Sequence, residues 1–266
     1  EMRESDWSSD VCSSDLRFEF NNYRHKDFSL FTNYCTPTDD SVMTLAVAEA
    51  ILNCKGDYSK LAGQAVACMQ KWGREYPGAG YGGNFRHWLV NPKPQPYNSF
   101  GNGSAMRVSP CGWAAQSLEE AIRLADLVTA VTHNHPEGMK GAEATAAAIY
   151  LARTGSDQQE IRQYLEKNYY RWDFTLDAIR DTYEFDESCQ GSVPQAFEAF
   201  FEAKSLEETI RNAVSLGGDC DTTGAIAGGV AGAYFGVPEE LRRQVWPFLD
   251  HKMRATLEAF EAKFEA

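Results

Sequence analysis

From Ser41 onward, the alternation of apolar and polar residues that a half-buried strand requires is almost absent, while helix start and stop signals recur at short intervals. That imbalance predicts an all-α fold. Thr38-Asp39-Asp40 precedes Val42, Met43, Leu45, Ala46, Ala48, Ala50, Ile51 and Leu52, a run too densely apolar for a helix with one wet face, so this helix should be largely buried. Ser117 followed by Glu120 opens a helix over 118–132, and Ser205 followed by Glu208 opens another over 206–216, each with capping-box spacing. An alanine-rich helix is expected over 140–154, ending at Gly155, and a further one begins at Ser156 and runs through Ile161 and Leu165. Segments 194–204 and 241–264 supply two more, the latter interrupted at Pro247. Short loops imply helices packed against their sequence neighbours. No internal repeat of about 20 to 50 residues is evident.

The chain has 266 residues, 25 basic against 38 acidic, for a formal net charge of -13. Such a surface is a poor partner for nucleic-acid phosphates and anionic membranes. No window holds the roughly 18 to 20 apolar residues of a membrane span. The seven cysteines are scattered and include no C-x-x-C pair, which fits a reduced, cytoplasmic setting better than a disulfide framework or a zinc site. Residues 1–16 have neither helical nor strand period and read as a non-native, unstructured segment, a scar fused ahead of the gene. With no linker and no shift in composition, 17–266 reads as one domain, long enough to bury roughly 70 to 75% of its unfolded surface.

Two clusters of oxygen ligands stand at helix mouths: Thr38-Asp39-Asp40, and Asp219-Cys220-Asp221-Thr222 after Gly217-Gly218. An extended backbone would point Asp219 and Asp221 the same way and turn Cys220 aside, so no cysteine nucleophile is expected. Either cluster alone reads first as a helix N-cap. A cap uses one side-chain oxygen, however, and two crowded acid pairs lose stability through like-charge repulsion unless cations offset it. Carboxylate and hydroxyl donors suit Mg2+ or Mn2+. Glycines at 224, 228 and 232 form a small-residue stripe, expected to pack tightly against the Ser41 helix and so to unite the clusters. Segment 76–110 carries six glycines and five prolines in 35 residues, and a stretch that long without helix is expected to serve a site.

Four ordered motifs then resemble one family, the ADP-ribosylglycohydrolases (the DraG or ARH family). Thr38-Asp39-Asp40-Ser41-Val42-Met43 is similar to its Thr-Asp-Asp-Thr/Ser-x-Met signature, and Gly217-Gly218-Asp219-Cys220-Asp221-Thr222 to its Gly-Gly-Asp-x-Asp-Thr signature. Between them, Gly101-Asn102-Gly103-Ser104-Ala105-Met106-Arg107 resembles its Gly-Asn-Gly-x-x-Met-Arg loop, and Thr132-His133-Asn134-His135-Pro136 followed by Gly141-Ala142 also fits. The resemblance implies an orthogonal multi-helix bundle holding two divalent cations, Mg2+ or Mn2+, at the base of an ADP-ribose cleft. Their ligands would be Thr38, Asp39, Asp40, Asp219, Asp221 and Thr222. The implied activity is hydrolysis of the glycosidic bond between ADP-ribose and an ADP-ribosylated protein or small molecule, releasing ADP-ribose.

Glu19 stands where the family places a glutamate that acts at the ribose and metal, although the Gly-Asp-bearing helix before it is missing here. Glu19, Asp39 and Asp40 are therefore the candidates for acid or base, and the sequence does not separate them. Substrate-binding candidates are Gly82, Ser99, Phe100, Gly101, Asn102, Gly103 and His133. Backbone N–H groups of the Ser99–Arg107 loop suit a diphosphate. His133 and His135 stand two apart, but hard cations prefer oxygen. Arg107 reads as a brace for acids rather than as a phosphate ligand. Two other classes remain open: an ADP-ribose-binding module without turnover, impaired by loss of its first helix, and a structural protein on the same fold.

Overall fold

The computed structural model describes residues 23–33 and 35–264. The segment 1–16 and Glu19 lie outside the described residues. Among the described residues there are thirteen α-helices and no strand, in line with the scarcity of alternating runs. The two places where chain meets chain in extended form are Gly101 and Ser188, joined by an isolated antiparallel bridge.

The first helix, α1 (Asp39–Cys54), is wet on almost no side: Val42, Met43, Ala46, Val47, Ala50 and Ile51 are fully buried. It packs against α2 (Leu61–Glu75). Segment 76–110 is less irregular than its glycine and proline content predicts, because it contains α3 (Gly83–Val90) and a 3-10 turn, Asn102–Ser104. A short α4 (Ser109–Ala114) leads to α5 (Leu118–Thr129), whose start at Ser117 is the expected cap: its Oγ accepts the Glu120 N–H at 3.1 Å.

The middle of the molecule is α6 (Pro136–Arg153), which touches α4 and α5. It begins four residues earlier than alanine content suggested, since the His135 ring caps it by accepting the Glu137 N–H at 3.1 Å. Its alanines are small enough for neighbours to come close, and Ala142, Ala144, Ala146, Ala147 and Ala148 are fully buried. Next come α7 (Gln158–Asn168), capped by Asp157 rather than Ser156, and α8 (Leu176–Ile179). Then α9 (Cys189–Phe201) starts at the Ser188 cap and carries Pro194 inside it, instead of starting at that proline. The Ser205 cap opens α10 (Leu206–Val214) as expected. After α11 (Cys220–Phe235), the C-terminal helical region is broken at Pro247 into α12 (Glu239–Val245), a 3-10 turn and α13 (His251–Phe264).

The glycine stripe of α11 does something other than expected. The helix packs mainly against α10, α9 and α6, and meets α1 only briefly. A β-carbon at Gly228 would find its nearest neighbour, Ile210, only at 4.0 Å, and one at Gly232 would meet Val237 at 3.6 Å, so neither marks a crowded backbone crossing. The crowded crossing lies elsewhere, where α4 presses on α6. A β-carbon at Gly112 would stand 2.8 Å from the Ala146 carbonyl oxygen and 2.7 Å from the Ile149 side chain.

The backbone contact at Gly112 has a measurable consequence. Gly112→Ala should cost about 1–3 kcal/mol of stability through overpacking, although alanine is the better helix former. Chemical denaturation of the two proteins checks this, and an unchanged midpoint would show that the α4–α6 contact yields freely.

Candidate functional site: an acid-lined cleft

The starts of α1 and α11 and four other segments converge on one cleft of about 680 Å³. At the α11 start the chain makes a turn through Gly217 (φ 65°) and Gly218 (φ 67°), a left-handed pair that favours glycine. A β-carbon at Gly218 would also stand 2.6 Å from the Tyr183 ring. The turn delivers Asp219 to the cleft, with α11 starting at the next residue. Asp219 and Asp221 are therefore not neighbours on an extended strand, as their alternation suggested. Asp221 sits in the first helical turn, and the two carboxyl groups interact with each other across the helix start.

Capping and ligation can be told apart here by where the side chains go. Thr38 and Asp219 occupy the N-cap positions of α1 and α11, yet neither side chain caps its helix. The Thr38 hydroxyl donates instead to Asp40 Oδ2 at 2.9 Å, and Asp219 Oδ2 accepts from Asn102 Nδ2 at 2.6 Å. By contrast, Ser117, Asp157, Ser188 and Ser205 each accept a backbone N–H in the ordinary way. The side-chain oxygens at these two N-cap positions are thus withheld from capping.

The electrostatics show what this costs. Burial pushes the Asp39 carboxyl well above its ordinary value, and the charges of Asp40 and Asp219 push it further, while Arg86 draws it down. Asp40 is pushed up to about 7, first by burial and then by Asp219, with the Thr38 and Thr222 hydroxyls acting against the shift. Asp219 and Asp221 are raised chiefly by burial, Asp221 also by Asp40 and Asp219. Four carboxyl groups from two ends of the sequence therefore share one electrostatic environment.

Asp40 is itself buried, and its Oδ1 has no hydrogen-bond partner. Among the described residues, no three His, Cys, Asp or Glu side chains are drawn together into a ready coordination shell. Asp40 and Asp219 are turned toward protein donors. The donor set of carboxylates and threonine hydroxyls, with an orphaned buried carboxylate oxygen among them, nevertheless fits a hard divalent cation.

The substrate-binding candidates gather as well. Gly82, Ser99, Phe100, Gly101, Asn102, Gly103 and His133 all line the cleft, together with Asp39, Asp219, Asp221 and Thr222; Thr38 and Asp40 stand buried behind them. Phe100 is 49% exposed, so its ring is free to meet a ligand. The Gly101–Gly103 loop is held from two sides: Asn102 N–H donates to the Glu187 carbonyl at 2.8 Å and Cys189 N–H to the Phe100 carbonyl at 2.9 Å.

Two readings of single residues change. Arg107 does not brace acids: it is buried and donates to the Thr132 hydroxyl at 2.6 Å. Cys220 lines the cleft instead of facing away, although burial and the flanking acids drive its thiol far upward, which leaves it a poor nucleophile. His135 is an α6 cap. Arg86, Tyr97, Phe185 and Glu187 also line the cleft and are absent from the sequence-derived set. The acidic-aromatic run before Ser188 gives no sign of this, because only the bridge from Ser188 to Gly101 brings it to the wall.

Comparison with known proteins shows the family of the chain. The ADP-ribosylglycohydrolase family model matches residues 9–264. The chain belongs to the ADP-ribosylglycohydrolase family. Its relatives include ADP-ribosylhydrolase ARH3 of Homo sapiens, 28% identical over 76% of this chain and 71% of the relative. ARH3 of Mus musculus is 27% identical over 76% and 70%. ADP-ribosylarginine hydrolase Tri1 of Pseudomonas putida (strain GB-1) is 24% identical over 84% of this chain and 66% of its own. A solved structure described as an ADP-ribosylglycohydrolase-related protein complex superposes with a TM-score of 0.67 at 23% identity, covering 96% of this chain and 92% of that one, a likeness of fold.

The Asp40 shift predicts how stability depends on pH. Between its ordinary value near 3.8 and about 7, the folded protein keeps a proton that the unfolded chain has released, so stability falls as pH rises through that window. Asp40→Asn should therefore raise stability at pH 8 in chelator, by on the order of 3 kcal/mol, and leave it nearly unchanged at about pH 4. Thermal melts at both pH values measure this, and equal effects at both would remove the strained carboxylate.

Proposed function

We propose that this protein is a metal-dependent hydrolase that cleaves the glycosidic bond between ADP-ribose and a modified acceptor, releasing ADP-ribose. Family membership supports an ADP-ribose linkage as the bond attacked. The observation that carries the metal dependence is the withdrawal of both helix-mouth oxygen sets from capping while four carboxyl groups crowd one cleft base. Residues 17–266 act in this reading as one domain. The scattered cysteines, with no C-x-x-C pair among them, support a cytoplasmic location. No helix among the described residues is long and apolar enough to cross a membrane.

Thr38, Asp39, Asp40, Asp219, Asp221 and Thr222 would hold two divalent cations, Mg2+ or Mn2+. When bound, these would supply Lewis-acid stabilisation and lower the pKa of the attacking water. The chain's own residues do the rest. The small residues Ser99, Gly101 and Gly103 leave room for the diphosphate beside Asn102, with Gly82 on the facing loop. Phe100 offers a ring face, and His133 a donor, to the nucleotide. One carboxylate among Asp39, Asp40 and Glu19 takes a proton from water as its oxygen bonds to the anomeric carbon; the acceptor leaves with the bond electrons and is protonated. The acceptor is an ADP-ribosylated protein or small molecule.

Release of ADP-ribose from ADP-ribosylated arginine and serine peptides, with Mg2+ or Mn2+ and then with chelator, tests the reading. Chelation should stop release, and Asp39→Ala or Asp221→Ala should lower it by at least about 100-fold with the helical circular dichroism retained. Full turnover in both variants would rule out this site. Binding of ADP-ribose without release from any acceptor would instead make the protein a binding module without turnover.

A further inference from the structure

Arg107 is 1% exposed, and its side-chain hydrogen bonds go to neutral groups. A guanidinium buried in this way is costly unless it performs a task. Its Nη2 donates to Thr132 Oγ1 at 2.6 Å and lies 3.4 Å from His133 Nδ1, and Thr132 Oγ1 stands 2.8 Å from the same Nδ1. Behind it the guanidinium lies over the Phe85 ring, 5.8 Å from the centroid.

The polarity of this chain of bonds follows from its first member. A guanidinium has five N–H donors and no acceptor. Thr132 must therefore accept from Arg107; its single proton has two acceptors in reach, His133 Nδ1 at 2.8 Å and the Thr129 carbonyl at 3.3 Å, and we assign it to the nearer. A proton on Nδ1 would confront the arginine N–H head-on. The imidazole is left with Nδ1 as acceptor and its proton on Nε2. That nitrogen is on the loop side, 3.6 Å from where a β-carbon of Gly101 would stand and 3.5 Å from that of Gly103. His133 lines the cleft at this point.

We propose that Arg107 is a positioning residue for ADP-ribose binding, acting through Thr132 to lock His133 as an uncharged Nε2–H donor against the Gly101–Gly103 loop. This rests on the functional reading above for the identity of the ligand, whose oxygen accepts a hydrogen bond from Nε2–H. The same arrangement keeps the imidazole from charging: burial drives His133 well below its ordinary range, and the Arg107 charge drives it further. Burial brings Arg107 itself down to about 10, against Tyr97, Cys111, Cys189 and Asp39, the titratable groups around it. The Tyr97 ring packs on the imidazole at 5.8 Å. The donor would thus keep one form across the physiological range, where an ordinary histidine changes charge.

Long-range 1H–15N spectra of the uniformly labelled full chain, with the His133 signals assigned by their loss in His133→Gln, read the tautomer directly. The expected result is a single Nε2–H form that does not titrate between about pH 5 and 8. In Arg107→Met and Thr132→Val, a mixture of tautomers or a titration in the ordinary histidine range is expected. The Kd for ADP-ribose, and KM where turnover is measured, should rise about tenfold in both variants with kcat little changed, as for loss of one well-placed hydrogen bond. An Nδ1–H tautomer in the unmodified protein, or unchanged His133 spectra and ADP-ribose affinity in Thr132→Val, overturns the proposal. If Arg107→Met does not fold, the unmodified protein and Thr132→Val decide. An Nε2–H form that depends on Thr132, in a protein that releases ADP-ribose from no acceptor, would uphold the proposal and defeat the hydrolase reading.

Discussion

Like-charge crowding at the mouths of α1 and α11 is the constraint around which the cleft is arranged. Burial raises the proton affinity of all four carboxyl groups, Asp39, Asp40, Asp219 and Asp221, and the charges of neighbouring aspartates raise it further at Asp39, Asp40 and Asp221. Such a group of acids is a liability in a protein of net charge -13, where no general excess of cations exists to soften it. The fold accepts that liability and surrounds it with partial remedies: the Thr38 hydroxyl on Asp40, the Asn102 amide on Asp219, and Arg86 acting on Asp39. The N-terminal ends of two helices add their own positive potential.

Helix capping elsewhere in the molecule makes the exception at these two helix mouths legible. Where a helix start has only to be stable, a Ser or Asp side chain bonds the backbone, as at Ser117, Asp157, Ser188 and Ser205. Where Thr38 and Asp219 occupy the same position, the side chains turn to other side chains and the cap bond is lost. Giving up a cap costs typically about 1 kcal/mol, so a site that gives up two has local stability to recover from neighbouring packing.

The glycine-bearing loop is organised from behind by a different set of forces. Segment 99–104 is tied to the turn before α9 by backbone bonds from Asn102 and Cys189, and to the acid cluster by the Asn102 side chain. On its other side stands His133, oriented by Thr132 and the buried guanidinium of Arg107. One residue, Asn102, therefore links the loop that would receive a diphosphate to a carboxylate that would receive a cation. A shift of this loop would be felt at both ends of a bound ligand.

The sequence by itself determined that the chain is helical, where several helices begin and stop, and which aspartates and threonines gather at the mouths of α1 and α11. These are local matters: the spacing of apolar residues, the chemistry of caps, and short motifs whose residues are contiguous. The same locality explains the misplaced starts of α6 and α9, since a histidine cap and an internal proline are weaker signals than alanine content. Only the tertiary structure decided that the α11 glycines do not seat against α1, that Arg107 serves Thr132 and His133 instead of acids, and that Phe185 and Glu187 reach the cleft wall. Each depends on which backbone lies beside which across many intervening residues, and a one-dimensional pattern carries no record of those distances.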